Sequence, residues 1–153
     1  MKKLLSVIIV LALVVMIIPQ TAVAVESSSE KQEILYYDDG SCLIVTIQET
    51  TLRSSDSKLG TKTYQYVSAS GNLEWTAILR GYFYYDGSTS TCTSSVCDIT
   101  ISNSNWYVVN KRVWTSGNSA CSEFTMGLKL LGVTATQKYF NMSLMCDAYG
   151  NLS

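Results

Sequence analysis

The sequence predicts an all-β fold of antiparallel strands, and three observations carry that reading. Stretches rich in Thr, Tyr, Val and Ile alternate apolar and polar residues with the period of two that an extended strand requires. Turn signals built on Asp, Asn, Ser and Gly separate these stretches at short intervals. Beyond the N-terminal apolar run the chain shows no amphipathic helical repeat. Two antiparallel sheets packed face to face, an immunoglobulin-like β-sandwich of about seven to eight strands, satisfy all three observations, with a small barrel as the alternative.

The chain opens with a secretory signal over residues 1–24. Lys2 and Lys3 supply the charged start, residues 4–18 the apolar run, and Ala22-Val23-Ala24 the small-residue cleavage site. The run is short for the ~20 residues of a spanning helix and stops at Pro19, which favours cleavage near Val25 over a retained anchor. Residues 25–33 are poor in apolar side chains and read as a disordered lead. Residues 34–153 form the β domain.

Within it, Leu35, Tyr36 and Tyr37 lead into the Asp38-Asp39-Gly40 turn, and residues 42–48 alternate with Leu43, Val45 and Ile47 on one face. Residues 50–58 are polar and read as a loop closed by Gly60, and residues 61–68 form the next strand. The strongest alternation runs from Leu73 to Tyr85: Trp75, Ala77, Leu79, Gly81, Phe83 and Tyr85 share one face, opposite Thr76, Ile78, Arg80, Tyr82 and Tyr84. Gly81 in mid-strand marks a bulge or a close backbone approach, and Asp86-Gly87 ends the strand in a turn. Residues 88–95 are Ser/Thr-rich and read as a strand edge or a long loop. Strands then follow at 96–102, at 106–114 with Trp106, Val108 and Trp114 on one face, at 120–126 or on to 131, and at 134–146 with Phe140, Met142, Leu144 and Cys146 inward.

Composition excludes several chemistries. Without Lys2 and Lys3 the 11 basic residues fall to 9 against 12 acidic ones, a net charge of −3, so no basic surface exists to hold nucleic acid. Histidine is absent, which removes the usual general base and the commonest metal ligand. Glu74, Asp86, Asp98 and Glu123 show no spacing that marks an acid–base pair, and Lys111 and Lys129 are unmarked as bases. The reading is therefore non-enzymatic, without a cofactor or metal. The acidic turns at Asp38-Asp39-Gly40, Asp86-Gly87 and 147–151 lack the alternating acidic loop of a calcium site and are explained as hairpin turns.

Five cysteines in an exported chain favour disulfides, with an odd one left unpaired. Strand parity turns Cys97 and Cys146 inward and Cys121 outward, while Cys92 lies just before the Cys97 strand and within reach of the chain's end. A bridge from Cys92 or Cys97 to Cys146 closes a loop of about fifty residues, worth about 3 to 4 kcal/mol in the chain-entropy model. The alternative, five reduced thiols, suits a protein from an anaerobe. Cys42 and Cys121 are the candidates for an unpaired thiol, through which a homodimer would form.

Trp75-x-Ala77-x-Leu79-x-Gly81-x-Phe83-x-Tyr85-x-Gly87, then Cys92, Trp106 and the ending Leu144-x-Cys146-Asp147-x-x-Gly150-Asn151-x-Ser153, resembles a group of small secreted β proteins of Gram-positive, clostridia-like bacteria. The resemblance covers roughly residues 38–153. It implies an exported single-domain β protein, brings no functional residue with it, favours Cys92 over Cys97 as the partner of Cys146, and implies a non-cysteine at position 42.

Ten tyrosines and three tryptophans invite a binding face. Tyr82, Tyr84, Arg80 and Ile78 form the candidate stripe, able to stack on a sugar ring or a partner, against the plainer reading of sheet-stabilising cross-strand pairs. The functional expectation is a secreted module for an unidentified extracellular ligand (glycan, peptide or protein), with no membrane association after cleavage. A self-associating surface protein is the alternative, and an antimicrobial or toxin-like protein the third, disfavoured by the negative charge.

Overall fold

The structure is a computed structural model that describes residues 30–51 and 56–153. The expected signal peptide at 1–24, the cleavage point at Val25 and residues 52–55 of the polar loop lie outside the described residues. The strands are β1 Glu30–Tyr36, β2 Cys42–Thr51, β3 Ser57–Val67, β4 Leu73–Tyr85, β5 Ser90–Ile101, β6 Trp106–Ser116, β7 Ser119–Leu130 and β8 Val133–Met145. They form two antiparallel sheets, one ordered β1-β2-β3-β4-β5 and the other β6-β7-β8. The expected all-β sandwich is thus built as two meanders, and the chain passes between them through residues 102–105.

β4 shows why the sheets pack. Trp75, Ala77, Leu79, Gly81 and Phe83 are buried while Tyr82 and Tyr84 are exposed, as period-two alternation on a half-buried strand demands. Phe124 and Met126 of β7 and Phe140, Met142 and Leu144 of β8 join the same core. Trp75 stacks on Tyr66 at 5.4 Å and meets Phe140 and Phe124 edge-on at 4.8 and 5.7 Å, the arrangements aromatic quadrupoles favour. Gly81 pairs with Gly60 across β3 and β4. A Cβ at Gly81 would lie 2.5 Å from the Phe83 ring and 2.8 Å from Ala120 Cβ, and one at Gly60 would lie 2.6 Å from Leu152 Cδ1. The pair is a close approach, and Gly60 sits inside β3 rather than closing a loop.

The structure corrects or resolves the sequence reading in three other places. Residues 30–33 of the expected disordered lead belong to β1, which pairs along its whole length with β2 although every residue in it is exposed. An edge strand is held by main-chain bonds, so apolar side chains are not required to place it. Of the two readings of the Ser/Thr-rich segment, a strand edge or a long loop, the structure takes the first: residues 90–95 are the first half of β5, the edge strand paired with β4. A bulge between Val108 and Asn110 adds a residue to β6 and exchanges its faces. Val113 therefore packs on the core, and Trp114 pairs with Cys121 on the outer face, under the Arg112 guanidinium at 4.9 Å.

Past β8 the chain turns through residues 147–151 and Cys146 bridges to Leu152. Leu152 is buried, and beside it the buried Lys58 pairs with Glu49 at 3.0 Å and donates to the Gly150 carbonyl. Burying that lysine is tolerable because both the charge and a carbonyl meet it.

Candidate functional site

The sequence-predicted stripe lies on the outer face of the five-stranded sheet. Tyr82 and Tyr84 are 42% and 49% exposed, two residues apart and hence about 7 Å along the strand. Arg80 is committed to an ion pair with Asp98, and Ile78 is half-buried, opposite Asp98 and Thr63. The stripe is accessible but flat, and its one cation is already paired.

The carboxylates considered as acids are kept apart. Asp98 is on that outer face with Arg80, whereas Glu123 is on the outer face of the other sheet, accepting from Tyr139 at 2.9 Å. Asp86 and Asp147 occupy turns at the opposite end of the sandwich from Asp39, joined by the Gly87 N–H donating to Ala148 at 2.9 Å. Each turn aspartate is used by its own turn. Asp86 accepts from the N–H of Ser88 and Thr89, Asp147 from those of Tyr149 and Asn151, and Asp39 from that of Ser41. These bonds to the charged form hold Asp86 and Asp147 below the ordinary carboxylate range, led by the Thr89 N–H and the Asn151 side chain respectively.

All five cysteines carry free thiols, so the expected bridge to Cys146 is not formed. Cys97 is opposite Leu79 in mid-sheet, whereas Cys92 and Cys146 sit together under the β6–β7 turn, donating their N–H groups to Gly117 at 2.8 Å and Asn118 at 3.0 Å. Cys97 is therefore far from Cys146 along the sandwich, and Cys92 is its neighbour. Cys121 is on the outer sheet face as parity requires, yet it is buried between Trp114 and Ser143 and is no exposed thiol. Burial pushes the Cys92, Cys97 and Cys146 thiols up, away from the reactive thiolate.

Sequence reasoning missed a concavity at the other end of the sandwich. The turns at 37–41, 68–72 and 102–105 surround a cavity of about 350 Å³, whose lining includes Asp39, Ser41, Tyr66, Glu74, Trp106 and Leu128. Local structure places each group. Glu74 enters β4 one residue before the core Trp75, and its main-chain carbonyl accepts from the N–H groups of Ser102 and Asn103 at 2.9 and 3.0 Å, which folds the β5–β6 turn over it. Its carboxylate Oε2 then accepts from Asn103 Nδ2 at 2.6 Å and from Trp106 Nε1 at 2.9 Å. Glu74 is only 6% exposed, and its Oε1 receives no hydrogen bond from the described residues.

Across the cavity mouth, Lys138 donates to Asp39 Oδ2 at 2.8 Å and to the Tyr66 hydroxyl at 2.6 Å, and lies 4.9 Å over the rings of Tyr37 and Tyr66. Lys138 and then Ser41 hold the Asp39 carboxyl far below its usual range. Burial works against the Lys138 ammonium, but its bonds to Asp39 and Tyr66 keep it above its ordinary value. Glu74, by contrast, has no cation within ion-pair distance among the described residues. The signal for this site was present only as Glu74, a charged residue near the start of the most regular strand. Asn103 and Trp106, 29 and 32 residues away, become its partners only through the fold.

The fold and cavity define a β-sandwich with a concave, acidic, aromatic-lined site at its loop end. Compared with protein-family models, curated proteins and solved structures, the chain matches none significantly. The functional argument therefore rests on the site itself.

Proposed function

We propose that this chain is a secreted, non-enzymatic binding module that receives its ligand in the loop-end cavity. One observation carries the reading: a buried carboxylate, Glu74, lines an open cavity and keeps one oxygen without a protein donor. That oxygen reaches the solvent of the cavity, and ligand pockets combine apolar walls with a few such placed polar atoms. The absence of histidine and the burial of four of the five thiols support a binding role over a catalytic one. The exposed Tyr82 and Tyr84 give the module a second, flatter surface for a glycan or a peptide.

Chemical-shift mapping of ¹⁵N-labelled protein against a fragment set of sugars, cations, anions and neutral alcohols tests the reading. Shifts grouped on Glu74, Asn103 and Trp106 are expected. Shifts confined to β4 around Tyr82 and Tyr84 would move the site to the sheet face, and none at either place would remove the binding reading. A self-associating protein, joined through the half-exposed Cys42, would instead run as a disulfide-linked dimer on a non-reducing gel.

A further inference from the structure

We propose that the loop-end cavity takes one organic cation, an alkylammonium or alkylguanidinium group, either free or carried on a peptide side chain. Glu74 is the anion that receives it, with Trp106 and Tyr66 as the walls. The inference rests on the binding reading above and narrows it to one ligand chemistry.

A carboxylate taken out of water is tolerated when a cation or a full set of donors meets it. Here two neutral N–H groups both serve Oε2, while Oε1 opens to the solvent of the cavity and the formal charge has no cationic partner among the described side chains. The nearby ammonium is not available, because Lys138 is spent on Asp39 and the Tyr66 hydroxyl. Asp39 and Lys138 cancel, so these three groups leave the cavity with one uncompensated negative charge.

The walls fit the rest of such a ligand. Trp106 and Tyr66 are 5.4 Å apart at 69°, and Leu128 and Leu130 also line the cavity. These apolar side chains and ring edges accept the methylene stem behind the cationic head. A volume of about 350 Å³, at the small end of ligand pockets, admits a group of that size. An anionic ligand would meet the Glu74 carboxylate with no free cation beside it and is disfavoured on charge.

The test uses wild-type ¹⁵N-labelled protein and follows the Trp106 indole N–H, which donates to Glu74 Oε2. The probes are n-butylammonium, n-butylguanidinium, n-butanol and butyrate, followed by blocked tripeptides centred on lysine or arginine. The two cations are expected to shift the Trp106 indole and Asn103 amide signals saturably, and the alcohol and butyrate to bind about tenfold or more weakly, the scale of one charge-assisted hydrogen bond. Glu74→Gln keeps an oxygen for Asn103 and Trp106 while turning an amide nitrogen to the cavity, so it should fold and lose about tenfold or more in affinity for the cations. Equal binding of alcohol and cation to the wild type, a comparison that needs no variant, would overturn the proposal, as would unchanged cation affinity in Glu74→Gln. If butanol or butyrate occupies the cavity and the cations do not, the cation inference alone falls; if no probe shifts a cavity residue, the binding reading falls with it. Tripeptides that bind more tightly than the free cations support a peptide source, and equal binding supports a free amine.

Discussion

Replacing Gly81 with alanine would place a methyl group at a close approach between the two sheets. The new Cβ would lie 2.5 and 2.6 Å from two Phe83 ring carbons and 2.8 Å from Ala120 Cβ in β7, all inside the distance that real Cβ atoms keep. The Phe83 ring is buried and Ala120 is fully buried, so neither can move aside into solvent. Overpacking of this kind costs about 1 to 3 kcal/mol. Gly81→Ala should fall near the upper end, because the offending atoms include a Cβ fixed to the opposing backbone as well as a ring. Ala120→Gly alone should cost about 1 kcal/mol for its lost packing and added chain freedom. The double variant should be at least ~1 kcal/mol more stable than the sum of the two singles, since removing the Ala120 methyl reopens part of the space. Urea unfolding monitored by tryptophan fluorescence reads each value as a shift in midpoint at constant slope. A Gly81→Ala protein within ~0.5 kcal/mol of wild type, or a strictly additive double variant, would refute the sheet-contact account of this glycine.

Three further outcomes are expected. Leu131 and Gly132 form the two-residue turn between β7 and β8 with φ of 53° and 81°, and a leucine is poorly suited to that region; Leu131→Asn should stabilise by about 0.5 to 1 kcal/mol, and an unchanged or lowered unfolding midpoint would argue against this turn. The Asp39 carboxyl binds its proton more weakly folded than unfolded because Lys138 and Ser41 hold its charged form, so its contribution is complete above the unfolded carboxylate pKa of about 4 and is lost as pH falls below it. Unfolding curves of Asp39→Asn between neutral and acid pH should therefore lose less stability on acidification than the wild type, and parallel profiles would show that the pair is not coupled to folding. Finally, Cys42 is half-exposed while the other four thiols are buried, so a maleimide should label Cys42 first in the native protein; rapid labelling of several thiols, or persistence of the fast phase in Cys42→Ser, would contradict this burial pattern.

The period-two pattern by itself determined the strands and most of their faces. Trp75 to Phe83, Phe124 and Met126, and Phe140 to Leu144 could be assigned inward because alternation is local: each residue's face follows from its neighbours in the chain. The turns at Asp39-Gly40 and Asp86-Gly87 were legible for the same reason, since a short side chain bonding its own loop, or a glycine at positive φ, acts within a few residues.

Only the tertiary structure decided the rest. β1 is a strand because β2 lies beside it, not because of any pattern of its own. One inserted residue after Val108 sent Trp114 outward and Val113 inward, and a bulge is a property of pairing with β7 rather than of β6 alone. The cavity depends still more on the whole fold. Glu74, Asn103 and Trp106 carry no motif, and Lys138 lies 99 residues from Asp39. Their meeting follows from turns of two different sheets converging at one end of the sandwich. Local periodicity specifies which residues face inward; where separate turns meet, and which buried charge is left unmatched there, is set by long-range packing.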